Sequence, residues 1–241
     1  MTALEGDGGM KVLGLLGGMS WESTDYYYQQ LNRGVRERLG GLHSAHCVAY
    51  SVDFSEIEQL QAAGAWAEAG TLLGRCAQRL EAAGAESLVL CTNTMHRVID
   101  TIEAAISIPV LHIADGTADA LQHDGVRTVA LLGTRYTMEQ DFYRSRLTDR
   151  GLQVLVPDAA DRETVHTVIY DELCQGKILS SSRDAYIHVA ERLAESGAEA
   201  VILGCTEIGL LLDEACCPLP VYDTTLLHVR AALDWSLADE R

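Results

Sequence analysis

Short apolar runs alternate with longer stretches whose apolar residues fall three and four apart, and this rhythm persists along nearly the whole chain. The first run, Lys11-Val12-Leu13-Gly14-Leu15-Leu16, is closed by Gly17-Gly18 and followed by Ser20-Trp21-Glu22-Ser23-Thr24 and a periodic stretch to about Arg38. That order predicts a buried strand, a tight glycine turn and a helix. Further strands are predicted over 47–52, 87–91 and 110–112, and helices over 66–83 and 95–105. Strands that are apolar on both faces, alternating with helices, imply a parallel sheet covered on either side.

The series then starts again. Thr128-Val129-Ala130-Leu131-Leu132-Gly133-Thr134 echoes the first strand and its turn, and Leu219-Pro220-Val221-Tyr222-Asp223 echoes Ile108-Pro109-Val110-Leu111-His112. Residues 80–94 and 193–207 align without a gap over 15 positions, five of them identical. The landmark pairs Gly17/Gly133, Thr92/Cys205 and Pro109/Pro220 lie 116, 113 and 111 residues apart. This period is far beyond the ~20–50 residues of solenoid repeats. The expectation is two similar doubly wound, flavodoxin-like α/β lobes: 10–113 together with a C-terminal helix in 224–241, and 114–223. The helix after Asp223 has no strand to follow and is expected to pack back on the first lobe. The Gly- and acid-rich stretch 1–9 reads as a loose leader. In open parallel sheets ligands bind beyond the strand C-termini, so the active site is expected in a cleft between the lobes, at 17–19, 92–94, 133–137 and 205–207.

Composition narrows the partners. The 241 residues carry a net charge of −17, from 35 acids and 18 bases. A nucleic-acid or anionic-membrane partner is therefore not expected. A small anionic substrate stays open, because backbone N–H groups can bind it whatever the global sign. Seven cysteines with no Cys-x-x-Cys pair, and no long apolar segment, read as a reduced, cytoplasmic protein. Several weaker signals are set aside. Gly14-Leu15-Leu16-Gly17-Gly18 lacks the spacing and ending of a phosphate loop. His43 and His46 have no partners completing a metal set, so no metal is expected. Trp66 and Tyr26-Tyr27-Tyr28 read as packing or interface residues, and Cys216-Cys217 as a loop pair of unknown reactivity.

The strand ends carry the chemistry. Thr92-Asn93-Thr94 could cap the helix that follows, as could Thr206 with Glu207. A cysteine at a helix N-terminus has its pKa lowered, which makes Cys205 the best-placed reactive thiol. The glycine turn ending in Met19, the Cys91-Thr92-Asn93-Thr94-Met95-His96 string, Leu132-Gly133-Thr134-Arg135-Tyr136-Thr137-Met138-Glu139 and Gly204-Cys205-Thr206-Glu207 together resemble the aspartate/glutamate racemase family. The resemblance runs from Met10 to about Leu237 and is strongest to its enterobacterial, L-aspartate/glutamate-specific or broad-specificity branch.

The resemblance implies a cofactor-independent isomerase in which two side chains flank the substrate Cα, one removing a proton and one returning it. It further implies a small amino-acid substrate and a homodimer. Most of the family places a cysteine at both strand ends. Here the ungapped repeat sets Thr92 opposite Cys205, while Cys91 falls opposite Gly204. Adjacent strand residues face opposite ways, so Thr92 facing the substrate sends Cys91 into the core; a bulge would reverse this. Thr92 and Cys205 are therefore the expected acid–base pair. The expected reaction has Cys205 deprotonating the L enantiomer and Thr92 reprotonating the other face. Asn93, Thr94 and Thr206 are expected to bind the α-carboxylate and amino group, with Met19 closing the wall. Gln61 matches a side-chain-recognition position of the enterobacterial branch, although an exposed helix glutamine would read the same. Lys177 is a candidate for a distal carboxylate or a solvated lysine, and Glu207 for orienting Cys205 or capping. The alternatives are a relative that isomerises another small acid, such as a hydantoin or maleate, and a two-lobed binding protein without turnover.

Overall fold

The computed structural model describes residues 9–238; residues 1–8, most of the stretch read as a loose leader, and 239–241 lie outside the described residues. Along the chain run β1 (Leu13–Gly17), α1 (Trp21–Leu39), β2 (Cys47–Ser51), α2 (Phe54–Ala62), α3 (Trp66–Ala82), β3 (Ser87–Leu90), α4 (Ile99–Glu103) and β4 (Val110–Leu111). They are followed by α5 (Ile113–His123), β5 (Thr128–Gly133), α6 (Arg135–Glu139), α7 (Asp141–Thr148), β6 (Gln153–Leu155), α8 (Ala159–Asp171), α9 (Ser180–Glu195), β7 (Ala200–Gly204), β8 (Val221–Asp223) and α10 (Thr224–Ser236).

The strands form two four-stranded parallel sheets, ordered β2-β1-β3-β4 and β6-β5-β7-β8. The repeat extends to register. Leu13 pairs with Ser87 and Leu88 with Val110 in the first sheet; Val129 pairs with Ala200 and Val201 with Val221 in the second. These are the same positions carried forward by the offsets found in the sequence. Side chains alternate across the second sheet as a period of two requires. Ala130, Leu132, Val201 and Leu203 enter one core with Val165, Tyr186 and Val189, while Val129, Leu131, Ala200 and Ile202 enter another with Ile113, Tyr143 and Leu147.

In the first sheet, Leu13, Leu15, Val89 and Cys91 pack against Tyr27, Leu31 and Val35 of α1, spaced by four as one helix face demands, and against Val229, Ala232 and Leu233 of α10. The α1 start is fixed by Ser20, whose hydroxyl accepts from the Ser23 N–H at 3.2 Å. Its end is set by Gly40 at φ +76°, a conformation that suits glycine. Of the three tyrosines, Tyr27 is fully buried and Tyr28 lies exposed.

Two compact units result. One takes the chain up to Cys91, Val98–Leu111 and the chain from Val229 onward; the other takes Thr92–Arg97 and His112–His228. The short segment 92–97, taken with the first lobe in the sequence, thus groups with the second unit. The helix expected over 95–105 is instead a five-residue 3₁₀ turn, Thr94–Val98, running into the short α4. Its first turn is tightened by the His96 N–H reaching back three residues to the Asn93 carbonyl at 3.1 Å. Among the described residues no helix is long and apolar enough to cross a membrane.

Candidate active site

In the second unit, the last residue of β7 is Gly204, at a point where the strand runs too close to its neighbour for a side chain. Gly204 pairs with Gly133 of β5, and a Cβ on Gly204 would stand 2.9 Å from the Leu132 carbonyl oxygen. The chain stays extended for one more residue, so Cys205 sits at the strand's C-terminal end, at φ −149° and ψ 132°. The residues after it form a 3₁₀ turn, Thr206–Leu210, and no side chain of Cys205 caps it.

The Cys205 thiol donates to Glu207 Oε2 at 2.9 Å, and the Glu207 side chain is buried. Burial and the adjacent Glu207 carboxylate hold the thiol well above its usual pKa. This corrects the expectation of an acidified thiol. One turn of 3₁₀ helix carries little of the aligned dipole of a long α-helix, and a carboxylate facing a sulfur opposes negative charge on it. Cys205 is therefore a neutral thiol with a proton acceptor in place. The expected Thr206 and Glu207 cap is not made; Thr206 Oγ1 instead accepts from Thr225 Oγ1 at 3.1 Å. Its own hydroxyl proton remains to be donated elsewhere.

The other strand end, Thr92-Asn93-Thr94, belongs to the same unit, and all three side chains are buried. No capping bond from them to the turn is formed as expected; Asn93 and Thr94 make longer-range contacts instead. Asn93 Nδ2 donates to Thr224 Oγ1 at 3.0 Å, and Thr224 Oγ1 donates to the Leu203 carbonyl at 2.8 Å. A hydroxyl has one proton. Since that of Thr224 goes to Leu203, Thr224 can only accept from Asn93, which fixes the amide with its NH₂ toward Thr224. Asn93 Oδ1 is left buried with no hydrogen-bond partner among the described residues. Thr94 Oγ1 lies 3.0 Å from Thr134 Oγ1, which in turn caps α6 by accepting from the Thr137 N–H at 3.3 Å. Two consecutive residues, Thr224 and Thr225, thus brace the neighbours of Thr92 and Cys205 respectively.

Cys91, one residue before Thr92, is fully buried in the core with Leu15 and Tyr27, and burial pushes its thiol far up. Met19 and Gln61 lie in the first unit and are both buried, so Gln61 is not an exposed helix residue. Lys177 is exposed, with Nζ donating to Gln175 Oε1 at 2.7 Å. Cys216 and Cys217 are partly buried and packed against the second unit's core. No described group of His, Cys, Asp and Glu could hold a metal ion.

Sequence reasoning did not single out Thr224, Thr225 or a cluster of buried histidines, His96, His112 and His228, in this unit. The His96 ring centre lies 4.4 Å from that of His112 and 6.1 Å from that of His228. The Thr-Thr pair opening a helix and the histidine closing the Cys91–His96 string were the available signals.

The Asp/Glu/hydantoin racemase family model matches residues 16–232. The broad specificity amino-acid racemase RacX of Bacillus subtilis is 25% identical over 162 residues, 67% of this chain and 70% of that protein. A proposed Asp/Glu racemase from Yersinia pestis, known from its crystal structure, is 55% identical with a TM-score of 0.89, covering 95% of this chain and 100% of that one. An aspartate racemase homologue from Pyrococcus horikoshii is 32% identical with a TM-score of 0.82, covering 94% and 99%.

Proposed function

This chain belongs to the Asp/Glu/hydantoin racemase family and is an amino-acid racemase, an isomerase, and we propose that it inverts Cα of acidic or small polar amino acids with Cys205 and Thr92 as the two acid–base groups and without a cofactor. The observation that carries this reading is the Cys205–Glu207 hydrogen bond at 2.9 Å. A thiol must lose its proton before it can act as a base, and here the acceptor is already in contact with it. In the L-to-D direction the proton passes from sulfur to Glu207, the thiolate takes the Cα proton, and the Thr92 O–H gives a proton to the opposite face. Exchange with water restores both groups.

The carbanion formed has no electron sink beyond the substrate's own carboxylate, so preorganised donors supply most of the stabilisation. Thr206, with a hydroxyl proton to give, and Thr94 are the proposed carboxylate donors. Asn93 Oδ1, a buried acceptor lacking a donor, is the proposed partner of the substrate ammonium. Gln61 and Met19 are proposed to set the side-chain preference, and Gln61→Leu is expected to change the ranking of substrates. Free cysteines support a reducing, cytoplasmic setting; the homodimer rests on family likeness, and sedimentation checks it.

Purified protein incubated in D₂O with L-glutamate, L-aspartate or their enantiomers is expected to lose the Cα-proton signal and approach a racemic mixture from either side. Enantiomers have equal free energy, so kcat/KM must be the same in both directions, and any apparent L preference has to come from compensating kcat and KM. Binding of these amino acids with no Cα exchange would overturn the proposal that they are the substrates turned over by Cys205 and Thr92.

A further inference from the structure

His96 is almost fully buried, and burying an imidazole is costly unless both ring nitrogens find partners. Both do. Nδ1 lies 2.8 Å from the Thr92 carbonyl oxygen, and Nε2 lies 3.3 Å from the N–H of Ile113, the first residue of α5. A carbonyl can only accept and an amide N–H can only donate, so the proton must be on Nδ1 and the lone pair on Nε2. The ring is thus a neutral brace of defined tautomer, spanning from the end of β3 to the start of α5. The His112 ring packs against it in a T-shaped contact and is itself pinned by accepting from the Ala114 N–H at 3.1 Å. A charged His96 would turn an N–H against the Ile113 N–H.

The brace acts on one peptide plane. The Thr92–Asn93 bond is trans, since the single cis bond among the described residues lies elsewhere. Its carbonyl and the Asn93 N–H therefore point in opposite directions. Holding the carbonyl toward His96 holds that N–H on the side away from the ring. Thr92 is β-branched, with few χ1 choices, so fixing its backbone also narrows the directions its hydroxyl can take. We propose that His96 is a positioning residue for the racemisation, holding the Thr92 carbonyl so that the Thr92 hydroxyl and the Asn93 amide are aimed at one face of Cα. The inference rests on the reading that Thr92 serves that face.

Its test is face-selective. With L-glutamate and L-aspartate in D₂O, Cα washout into recovered L substrate reports proton removal on the Cys205 side, whereas D product requires the Thr92 side as well. In His96→Leu the ratio of washout to inversion is expected to rise about tenfold. In His96→Asn, whose Nδ2–H falls where Nδ1–H was, the ratio is expected to stay near that of the parent, and His96→Gln, whose amide reaches the Nε2 position instead, is expected to behave like leucine. The Asn and Gln pair carries the test alone if leucine does not fold. Equal loss of washout and inversion in Leu and Gln would assign His96 a general packing role and overturn the proposal. Thr92→Ala separates the two levels. If it moves the ratio while the His96 variants do not, only the His96 inference fails; if it too leaves the ratio unmoved, the Thr92 reading fails.

Discussion

The Cys205 sulfur and the Glu207 carboxylate, two residues apart in the chain, face one another at 2.9 Å with the proton on sulfur. The sulfur is in this way both protected and primed: it resists ionisation at rest but has a base beside it. Glu207→Gln keeps the shape and removes the charge that opposes the thiolate. The thiol pKa is expected to fall, so alkylation of Cys205 by iodoacetamide should accelerate several-fold near neutral pH. An unchanged alkylation profile would separate Glu207 from the acidity of the sulfur.

The two neighbouring candidates at the end of β3, Cys91 and Thr92, are expected to divide between stability and rate. Thr92→Ala and Cys205→Ser are each expected to lower racemisation by about 10²–10⁴, the usual worth of a general acid or base, with little change in melting temperature. Cys91→Ala should do the reverse. It removes a sulfur packed with Leu15 and Tyr27, which costs stability of about 1 kcal/mol, and leaves the rate within a factor of about two. Denaturant titration beside steady-state rates reads both.

Gly17 has no room for a side chain. A Cβ there would fall 2.2 Å from Thr24 Oγ1, the atom that accepts from the Gly18 N–H at 2.8 Å and donates to the Ser20 carbonyl at 3.0 Å. Gly17→Ala is therefore expected to cost about 2 kcal/mol, a fall in melting temperature of about 6 °C. A melting temperature within a degree or so of the parent would show that Thr24 can move away without penalty.

Burial lowers His96 well below its ordinary pKa, and burial with Arg146 and His228 brings His112 down to about 3. Unfolded, both take up protons near 6.5. Above that value their contribution to stability is present in full. As the pH falls from there toward 3, the unfolded chain binds protons that the folded one refuses, so stability drains at about 1.4 kcal/mol per pH unit for each histidine. Urea titrations across this range should show the decline, and near neutral pH ¹⁵N NMR should find Nδ1 of His96 protonated and Nε2 unprotonated.

Most of the architecture was legible because it is written twice. Unbroken apolar runs named the central strands, and the ungapped match of 80–94 with 193–207 anticipated the matching register of β3 and β7. The segment after β3 was misread because helical periodicity does not distinguish an α-helix from a 3₁₀ turn drawn tight by Asn93 and His96. The acidity of Cys205 differs from expectation because position at a helix start was given weight, while Glu207, read as orienting Cys205 or capping, was not counted as a charge that opposes the thiolate. His96 and Thr224 escaped notice for a related reason. Their partners are backbone carbonyls, Thr92 and Leu203, and a backbone carbonyl leaves no mark in a sequence.

The chain passes from one compact unit to the other at four places, after Cys91, Arg97, Leu111 and His228. Six residues inside the first duplicated half, carrying Thr92 and His96, are thereby lodged in the second. A single crossover between two relatives at the midpoint would pair one parent's Thr92–Arg97 with the other's Thr134, Leu203 and Thr224. Chimaeras that exchange whole units need four junctions, and point changes at this crossing segment are inherited by one half while being judged in the other.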